Sequence, residues 1–237
     1  MLTKIQLTRD SLKASKIFTH IDFDKSKLNK AVQINEEGRR LYQTPSGASY
    51  PSITTVMGWL KSSQIAEWRT RVGAEAANQI TRRAASRGTS LHNICEKYLL
   101  NESEFGEVPY NVIDMFKVIR PVLDNNIDNI YCIETKMYSD HLGVAGTTDC
   151  IAEYNGKRSI IDFKTTRKPK ERSWIKEYFM QAAGYSVMFE ELTGISVPRL
   201  VIIMVSDEMD LQIFEEKRDD YVSDLIDSIG RYKLINS

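Results

Sequence analysis

An aspartate and a lysine, Asp162 and Lys164, alternate with apolar residues near the end of one short segment. In a strand, alternate side chains share one face, so these two groups point the same way while Ile161 and Phe163 point the opposite way. A carboxylate beside an ammonium group can serve hydrolytic chemistry, or it can be an ordinary ion pair on an exposed edge strand. The spacing alone leaves both interpretations open.

A second aspartate, Asp149, precedes Asp162 by thirteen residues. Between them, Asn155-Gly156 is a strong signal for a β-hairpin turn, which places Asp149 within cross-strand reach of Asp162. Two like charges at one place are unfavourable unless a cation lies between them, and oxygen ligands with retained waters suit Mg²⁺ or Mn²⁺. Hairpins also place aspartates opposite one another by chance, so the pair indicates a metal site without requiring one.

Two helical segments carry the other candidates. His92 lies one turn into a predicted helix after Gly88 and is either a ligand or a core or capping histidine. Gln181 and Tyr185, at i and i+4 of a later helix, present one polar face toward the strand that carries Asp162. The alternative is that Tyr185 lies in the core and Gln181 on the surface.

The apolar periodicity predicts an α/β chain that positions these residues. A short strand at 40–43 enters a turn, and Ser52 is a predicted helix N-cap. We expect one domain with a helical insertion, in which 62–100 is helical and broken only around Arg87-Gly88. Further strands are predicted at 130–138, 144–154, 157–164, 200–205 and, at an edge, 211–214; further helices are predicted at 110–127, 173–192 and 221–234.

Composition excludes several classes of protein. The 237 residues carry 32 Lys+Arg and 32 Asp+Glu, with zero net charge, and they are ample for a hydrophobic core. The balance excludes wholesale disorder and a coiled coil, and no run of about 18 uncharged apolar residues predicts a membrane span. Cys95, Cys132 and Cys150 form neither a disulfide framework nor a metal-ligand spacing, so we expect buried free thiols in a reducing cytoplasm.

The order of the motifs resembles a known family. Gly88…His92, Gly146-x-x-Asp149, Asp162-Phe163-Lys164 and Gln181…Tyr185 resemble the motifs of the PD-(D/E)XK nuclease superfamily, and more narrowly of its RecB-type exonuclease branch. The segments 146–154 and 161–170 are especially similar to a single-strand DNA exonuclease. The resemblance covers roughly residues 40 to 235. Thr148 stands where the family motif has proline, and the first forty residues match nothing.

The resemblance implies a fold and a domain organisation. It implies a PD-(D/E)XK, restriction-endonuclease-like α/β core, with a mixed central sheet flanked by helices and an N-terminal helical insertion or arch. Residues 1–237 would be a single nuclease domain. Within it, 1–60 would be an N-terminal extension with a short hairpin, 61–108 the helical arch with the His motif, and 109–237 the nuclease core.

The resemblance also implies the roles of the site residues. Lys164 would orient the attacking water or help deprotonate it, and Gln181 and Tyr185 would support the metal cluster or the DNA backbone. Glu134, on the preceding strand, is an additional ligand, a support for the ligands, or a plain surface glutamate. The groups implied to coordinate Mg²⁺ or Mn²⁺ are His92, Asp149, Asp162 and the Phe163 backbone carbonyl.

Basic residues cluster near these motifs, while acidic runs fall in the C-terminal third. This segregation favours a basic channel that tracks phosphates, although charge runs are often simply solvated. In the family, the helices before the histidine form an arch that the strand threads, which favours free ends. Arg82 and Arg83 lie on the same helices. The residues predicted to bind DNA are Ser52, Thr54, Arg69, Arg71, Arg87, Thr165, Arg167, Lys168 and Lys170.

These observations predict a Mg²⁺-dependent deoxyribonuclease: a DNA exonuclease that prefers single-stranded ends and acts in replication, repair or recombination. The alternatives are a structure-selective or double-strand-end nuclease of the same superfamily, and a catalytically silent DNA-binding module. We expect no iron-sulfur cluster, because three cysteines cannot supply the four ligands.

The sequence also predicts the partners and the compartment. No phosphate-binding Gly-x-x-x-x-Gly-Lys-Ser/Thr loop occurs, so ATP is not expected as a cofactor, and a helicase, polymerase or recombination protein would be a separate partner. Localisation is predicted in a bacterial or virus-infected cytoplasm. A mitochondrial location is less expected, since Asp10 and the low arginine content make a poor transit peptide.

Overall fold

The structure is a computed structural model that describes residues 3–36 and 39–236. Within these ranges the chain forms ten strands and six helices. The strands are β1 Lys4–Thr8, β2 Val32–Glu36, β3 Arg39–Gln43, β4 Ser49–Pro51, β5 Glu104–Pro109, β6 Ile127–Ser139, β7 Val144–Tyr154, β8 Lys157–Thr166, β9 Arg199–Ser206 and β10 Leu211–Lys217. The helices are α1 Ile53–Leu60, α2 Ser62–Val72, α3 Ala74–Leu99, α4 Tyr110–Asn126, α5 Lys176–Thr193 and α6 Asp219–Asn236.

Five strands form the central sheet, in the order β10-β9-β8-β7-β6. Strand β9 runs parallel to β8 and the other neighbours are antiparallel, so the predicted mixed sheet is confirmed. The predicted turn between β7 and β8 is also confirmed: Asn155 and Gly156 both have positive φ, 51° and 69°, as a tight hairpin requires. Strand β9 is buried and β10 lies at the sheet edge, both as predicted.

Helices cover both faces of this sheet, and each face has its own hydrophobic core. Helices α1, α5 and α6 pack on one face, with Phe179 and Phe189 of α5 in that core. The second half of α3 and helix α4 pack on the other face, around residues such as Phe116. Strand β8 alternates between the two cores, since Ile160 belongs to the first and Ile161 to the second. Asp162 therefore points to the α5 face.

Helix α3 is one continuous helix of 26 residues, so the break predicted around Arg87-Gly88 is wrong. A glycine inside a helix costs about 1 kcal/mol relative to alanine, which packing in the second half of α3 outweighs. Gly88 lies against β8, because a Cβ atom there would be 3.8 Å from the Thr165 Oγ1. The break between helices occurs earlier, at Gly73, where φ is 86°.

The segment predicted as an all-helical arch, 61–108, also contains a strand. Strand β5 begins at Glu104 and pairs with β1 near the start of the chain, and this pairing buries Phe105 and Leu7 in one core. The first residues have no clear apolar period, so the sequence did not indicate this pairing. A third sheet, in the order β2-β3-β4, contains the strand predicted at 40–43.

Helix α2 contrasts with the rest of the fold. All of its eleven residues are described, and none of them is buried. In the first half of α3, Ala77 is buried, whereas the second half buries a continuous stripe from Leu91 to Leu99. The α2–α3 hairpin therefore projects from the sheet. Within the described ranges, every helix is too short or too polar to cross a membrane.

Candidate active site

Three carboxylates form a row across neighbouring strands of the central sheet. The register between β6 and β7 on either side of Glu134 places this residue opposite Asp149. The register between β7 and β8, continued one residue past its last pair, places Asp149 opposite Asp162. Directly opposed residues on antiparallel strands have Cβ atoms about 4.5–5.5 Å apart. The sheet thus gathers three negative groups at one level.

Helix α3 brings His92 to this row from the opposite face of the sheet. The His92 Nε2 lies 2.7 Å from the Phe163 carbonyl oxygen and donates a hydrogen bond to it. The other ring nitrogen, Nδ1, lies 3.4 Å from the Asp149 Oδ1. Burial lowers the pKa of His92, but the charge of Asp149 and its hydrogen bond outweigh that effect and raise the pKa to about 9. The ring is therefore a cation at neutral pH.

Asp149 is held by two neighbours. Its Oδ2 accepts a hydrogen bond of 2.8 Å from the Phe163 backbone N–H, and its Oδ1 faces His92. Burial raises the pKa of Asp149, but His92, Lys164 and the hydrogen bond from the Phe163 N–H together outweigh burial, so the net pKa is lowered. Asp149 is therefore an ionised carboxylate in a fixed orientation at the end of the β7–β8 ladder.

His92, Glu134 and Asp149 each offer one ligand atom, and these atoms lie within 4.8 Å of one another. Burial and the negative charge of Asp149 raise the pKa of Glu134 to about 7. One imidazole nitrogen and two carboxylate oxygens, with the Phe163 carbonyl beside them, form a donor set that suits Mn²⁺ or Mg²⁺. Glu134, which the sequence left open between three roles, thus belongs to this group.

Asp162 lies outside that group and pairs with Lys164. The Lys164 Nζ is 2.6 Å from the Asp162 Oδ2 and 5.1 Å from the centre of the Tyr178 ring on α5. Burial and the nearby Asp149 charge raise the pKa of Asp162 to about 6, although Lys164 opposes the shift. Burial lowers the pKa of Lys164, but Asp162 outweighs it and raises the value overall. The predicted role of Asp162 as a metal ligand stays a prediction.

Helix α5 supplies Gln181 and Tyr185, and both side chains face this site. The Gln181 Nε2 donates hydrogen bonds to the Asp162 Oδ1 at 3.3 Å and to the Tyr185 hydroxyl oxygen at 3.2 Å. Both residues are buried, so a surface position for Gln181 is excluded. Gly146 on β7 makes room for the tyrosine, because a Cβ atom there would be 2.9 Å from the Tyr185 Cε1.

Two residues predicted to bind DNA lie instead in a buried cluster. Ser52 is fully buried, and its Oγ accepts a hydrogen bond of 2.9 Å from Arg40. The Thr54 hydroxyl is half-buried, contacts the Ser52 Oγ at 2.7 Å and accepts a second hydrogen bond from Arg40. The phosphate contact of Ser52 therefore stays a prediction, although its side chain is not exposed in this structure. Arg40 carries no motif signal, and its role as the donor was missed.

The remaining predicted DNA contacts lie in three environments. Arg87 forms an ion pair with Asp207, and Arg69 donates a hydrogen bond of 2.6 Å to Asn78. Thr165 is half-buried beside Gly88. The side chains exposed to solvent are those of Arg71, Arg167, Lys168 and Lys170.

Tyr178 is a further residue that the sequence analysis missed. Its ring lies under the Lys164 ammonium group and also 5.8 Å from the Lys61 Nζ at the start of α2. The i, i+3 spacing from Tyr178 to Gln181 on α5 is the signal that placed both on one side of the helix. This contact joins Lys164 to the base of the α2–α3 hairpin.

The amino-acid sequence is similar to those of curated proteins. The chain is 25% identical over 130 residues to mitochondrial genome maintenance exonuclease 1 of Homo sapiens, and 26% identical over 152 residues to the same exonuclease of Xenopus tropicalis. The chain is similar in sequence to an exonuclease. The matched segments cover 51% and 59% of this chain, but only 38% and 43% of the two relatives.

No protein-family model matches the chain. Among solved structures, the chain is similar to the structure titled "Putative exonuclease" from Eubacterium rectale, with a TM-score of 0.43 and 16% sequence identity. The similar region covers 62% of this chain and 63% of that chain.

Proposed function

We propose that this chain is a divalent-metal-dependent DNA exonuclease that hydrolyses phosphodiester bonds and prefers single-stranded ends. In this proposal the central sheet with α3 and α5 is a PD-(D/E)XK core, and the α2–α3 hairpin is its arch. The observation that carries the proposal is the convergence of His92, Glu134 and Asp149 within 4.8 Å, next to the Asp162–Lys164 pair.

The charges of the site support a cation there. Three carboxylates face two positive groups, and burial together with the negative charge of Asp149 raises the pKa of Glu134 to about 7. His92, Glu134 and Asp149 would hold the ion, with the Phe163 carbonyl and Asp162 as further oxygen donors. A bound Mg²⁺ or Mn²⁺ would supply an activated water and neutralise phosphate charge.

The side chains of the site have separable roles in this proposal. Lys164, whose side chain is 18% exposed, reaches the solvent side and stabilises negative charge that develops on the phosphate. Asp162 keeps the ammonium group in place, and Gln181 orients Asp162 through its amide. Tyr185 in turn holds the Gln181 amide.

Exposed cations support the choice of a polynucleotide as substrate. Arg167, Lys168 and Lys170 follow β8 directly, so the strand that carries Lys164 continues into a basic loop. Helix α2, which buries none of its residues, carries Arg71 and begins next to Lys61, whose Nζ lies over the Tyr178 ring. Phosphate contacts of this kind give affinity without base specificity. A helicase, polymerase or recombination protein would act with the chain as a separate partner.

The test compares linear and circular single-stranded DNA of the same sequence, with Mg²⁺, with Mn²⁺ and with chelator. We expect cleavage of the linear strand only, and none with chelator. Asp162→Asn should lower the rate by at least about a hundredfold while leaving DNA binding intact. Exposed Asp227, on α6, provides the matched Asp227→Asn control.

Rapid cutting of the circle would reject the exonuclease, and faster cutting of duplex ends or branched DNA would favour a structure-selective nuclease. DNA binding without cleavage under every metal condition would leave only a silent binding module.

A further inference from the structure

A second concave surface lies on α3, next to the candidate active site. This cavity of about 810 Å³, here named the α3–α4 cavity, lies between α3, the start of α4 and the turn that joins β9 to β10. Its volume falls in the range of pockets that bind small organic molecules. The residues that define it here are Arg82, Arg83, Arg87, Val112, Met115 and Met209.

The walls of the α3–α4 cavity are of two kinds. Val112, Met115 and Met209 form an apolar wall, and methionine thioethers make favourable contacts with aromatic rings. Opposite them, α3 presents arginines. A flat aromatic ring with an attached anion matches both walls at once.

The positive charge of this cavity is only partly neutralised. Arg87 pairs with Asp207, which also lines the cavity. Within the described ranges, no ion pair engages Arg82 or Arg83, and both side chains are exposed. Two guanidinium groups therefore remain for an anion, and guanidinium suits phosphate because it binds with two parallel hydrogen bonds.

A polar group in the wall is also left for a ligand. Asn111 lines the cavity near the start of α4, and its buried Oδ1 has no hydrogen-bond partner among the described residues. Buried polar atoms are normally paired, since an unpaired one costs about 1–3 kcal/mol. A side-chain amide is a suitable partner for the edge of a nucleobase.

Two contacts connect the cavity to strand β8 of the candidate active site. Arg87 directly precedes Gly88, which lies against Thr165 of β8, and the Asp207 backbone N–H donates a hydrogen bond of 3.0 Å to the Thr166 carbonyl. The cavity and His92 therefore lie along the same helix, α3.

We propose that the α3–α4 cavity binds one nucleotide of the DNA strand, with its base against the apolar wall and its phosphate on Arg82 and Arg83. This inference rests on the proposed function and adds a site that holds the strand beside the cleavage site. An acidic peptide is the competing occupant, and it is less favoured because the arginines share α3 with the metal-ligand candidate His92.

The test uses the full chain with Asp162→Asn, in chelator, so that neither hydrolysis nor metal contributes. Deoxyadenosine 5′-monophosphate, deoxyadenosine and inorganic phosphate are titrated separately by calorimetry. We expect the monophosphate to bind at least tenfold more tightly than either part alone.

Two variants locate the binding. Ser86→Trp fills the cavity from an exposed position that lines it, and Arg83→Glu reverses one free charge; each should weaken monophosphate binding at least tenfold. Their matched controls are Ala85→Trp, an exposed α3 position outside the lining, and Lys217→Glu on β10. Both controls should bind within twofold of the parent, and thermal melting verifies the folding of all four.

Three results would overturn the proposal: undiminished binding in Ser86→Trp, phosphate alone binding as tightly as the nucleotide, or displacement of the nucleotide by an acidic peptide that binds more tightly. Cleavage assays on the otherwise unmodified chain separate the two proposals. Normal DNA cleavage without nucleotide binding would reject the cavity proposal only. Nucleotide binding without DNA cleavage would reject the proposed exonuclease activity only.

Discussion

Glu134 has a left-handed backbone conformation, with φ of 42°, inside strand β6. A residue with a Cβ atom in this region costs roughly 1–2 kcal/mol, and strained residues of this kind cluster at functional sites. This strained residue is the one that the register of β6 and β7 places opposite Asp149.

The sequence predicted the positions of some residues of the site better than those of others. Strand alternation placed Asp162 beside Lys164, and the hairpin turn placed Asp149 opposite Asp162. The role of Glu134 was left open among three, although pairing outward from the turn at 140–143 places it opposite Asp149. The positive φ of Glu134 had no signal in the sequence.

Replacing Glu134 tests the metal-ligand group directly. Glu134→Gln removes one charged oxygen ligand, so we expect Mn²⁺ affinity, measured by calorimetry, to fall at least about tenfold. The melting temperature of the metal-free protein should not fall, because a neutral amide relieves the repulsion by Asp149.

Glu96→Gln is the matched control for that variant, since Glu96 lines the same small cavity as Glu134 but lies outside the metal-ligand group. Equal Mn²⁺ affinity in the two variants would remove Glu134 from the proposed ligand set.

At the scale of elements, α3 links the two sites. Its helical period was predicted for 62–100, but its continuity through Gly88 was not, because glycine and threonine together resemble a helix start. Packing on the sheet holds the second half of α3 and carries the helix through that point. Tertiary contacts of this kind cannot be read from local propensity.

The crossing of β7 and α5 provides a prediction about an element. Gly146→Ala puts a methyl group 2.9 Å from the Tyr185 ring and 3.2 Å from the Ile53 Cγ2, both in the core. Overpacking of this kind costs about 1–3 kcal/mol. We expect a lower melting temperature and, because Tyr185 holds Gln181, a lower kcat with KM nearly unchanged.

Gly58→Ala is the control for Gly146→Ala. Gly58 lies on α1, where an added methyl group would have no other atom within 4 Å, and alanine favours the helix, so stability should stay equal or rise slightly. If Gly146→Ala melts at the same temperature as Gly58→Ala, the close approach of β7 to Tyr185 is not as described.

At the scale of the whole molecule, the sequence predicted the central sheet and its major helices. The two small sheets at the N-terminal end were largely missed, because β1 pairs with a strand about one hundred residues later and neither shows a clear apolar period. The burial of Ser52 was missed for a similar reason: Arg40, its partner, is identified only once β3 and β4 are paired.

Metal binding should stabilise the entire fold, because the ligand candidates come from α3, β6 and β7. At an Mn²⁺ concentration one hundredfold above the dissociation constant, the gain is about 2.7 kcal/mol, which corresponds to roughly 5–10 °C in Tm. Calorimetric melting of the metal-free and metal-saturated protein measures this shift.

The shift should depend on pH in a defined direction. The pKa values of His92 and Glu134 are raised to about 9 and about 7, so at pH 6 both groups hold protons that the cation must displace. The rise in Tm with a fixed Mn²⁺ concentration should therefore be larger at pH 8 than at pH 6. An equal rise at both values, or a rise retained in Asp149→Asn, would contradict this ligand set.

The two cores on opposite faces of the sheet have a consequence for newly made chains. His92 arrives from one face, whereas Gln181 and Tyr185 arrive from the other, so the constellation is complete only when helices have packed on both faces of the sheet. We therefore expect the proposed activity to be gained only when the chain has folded completely.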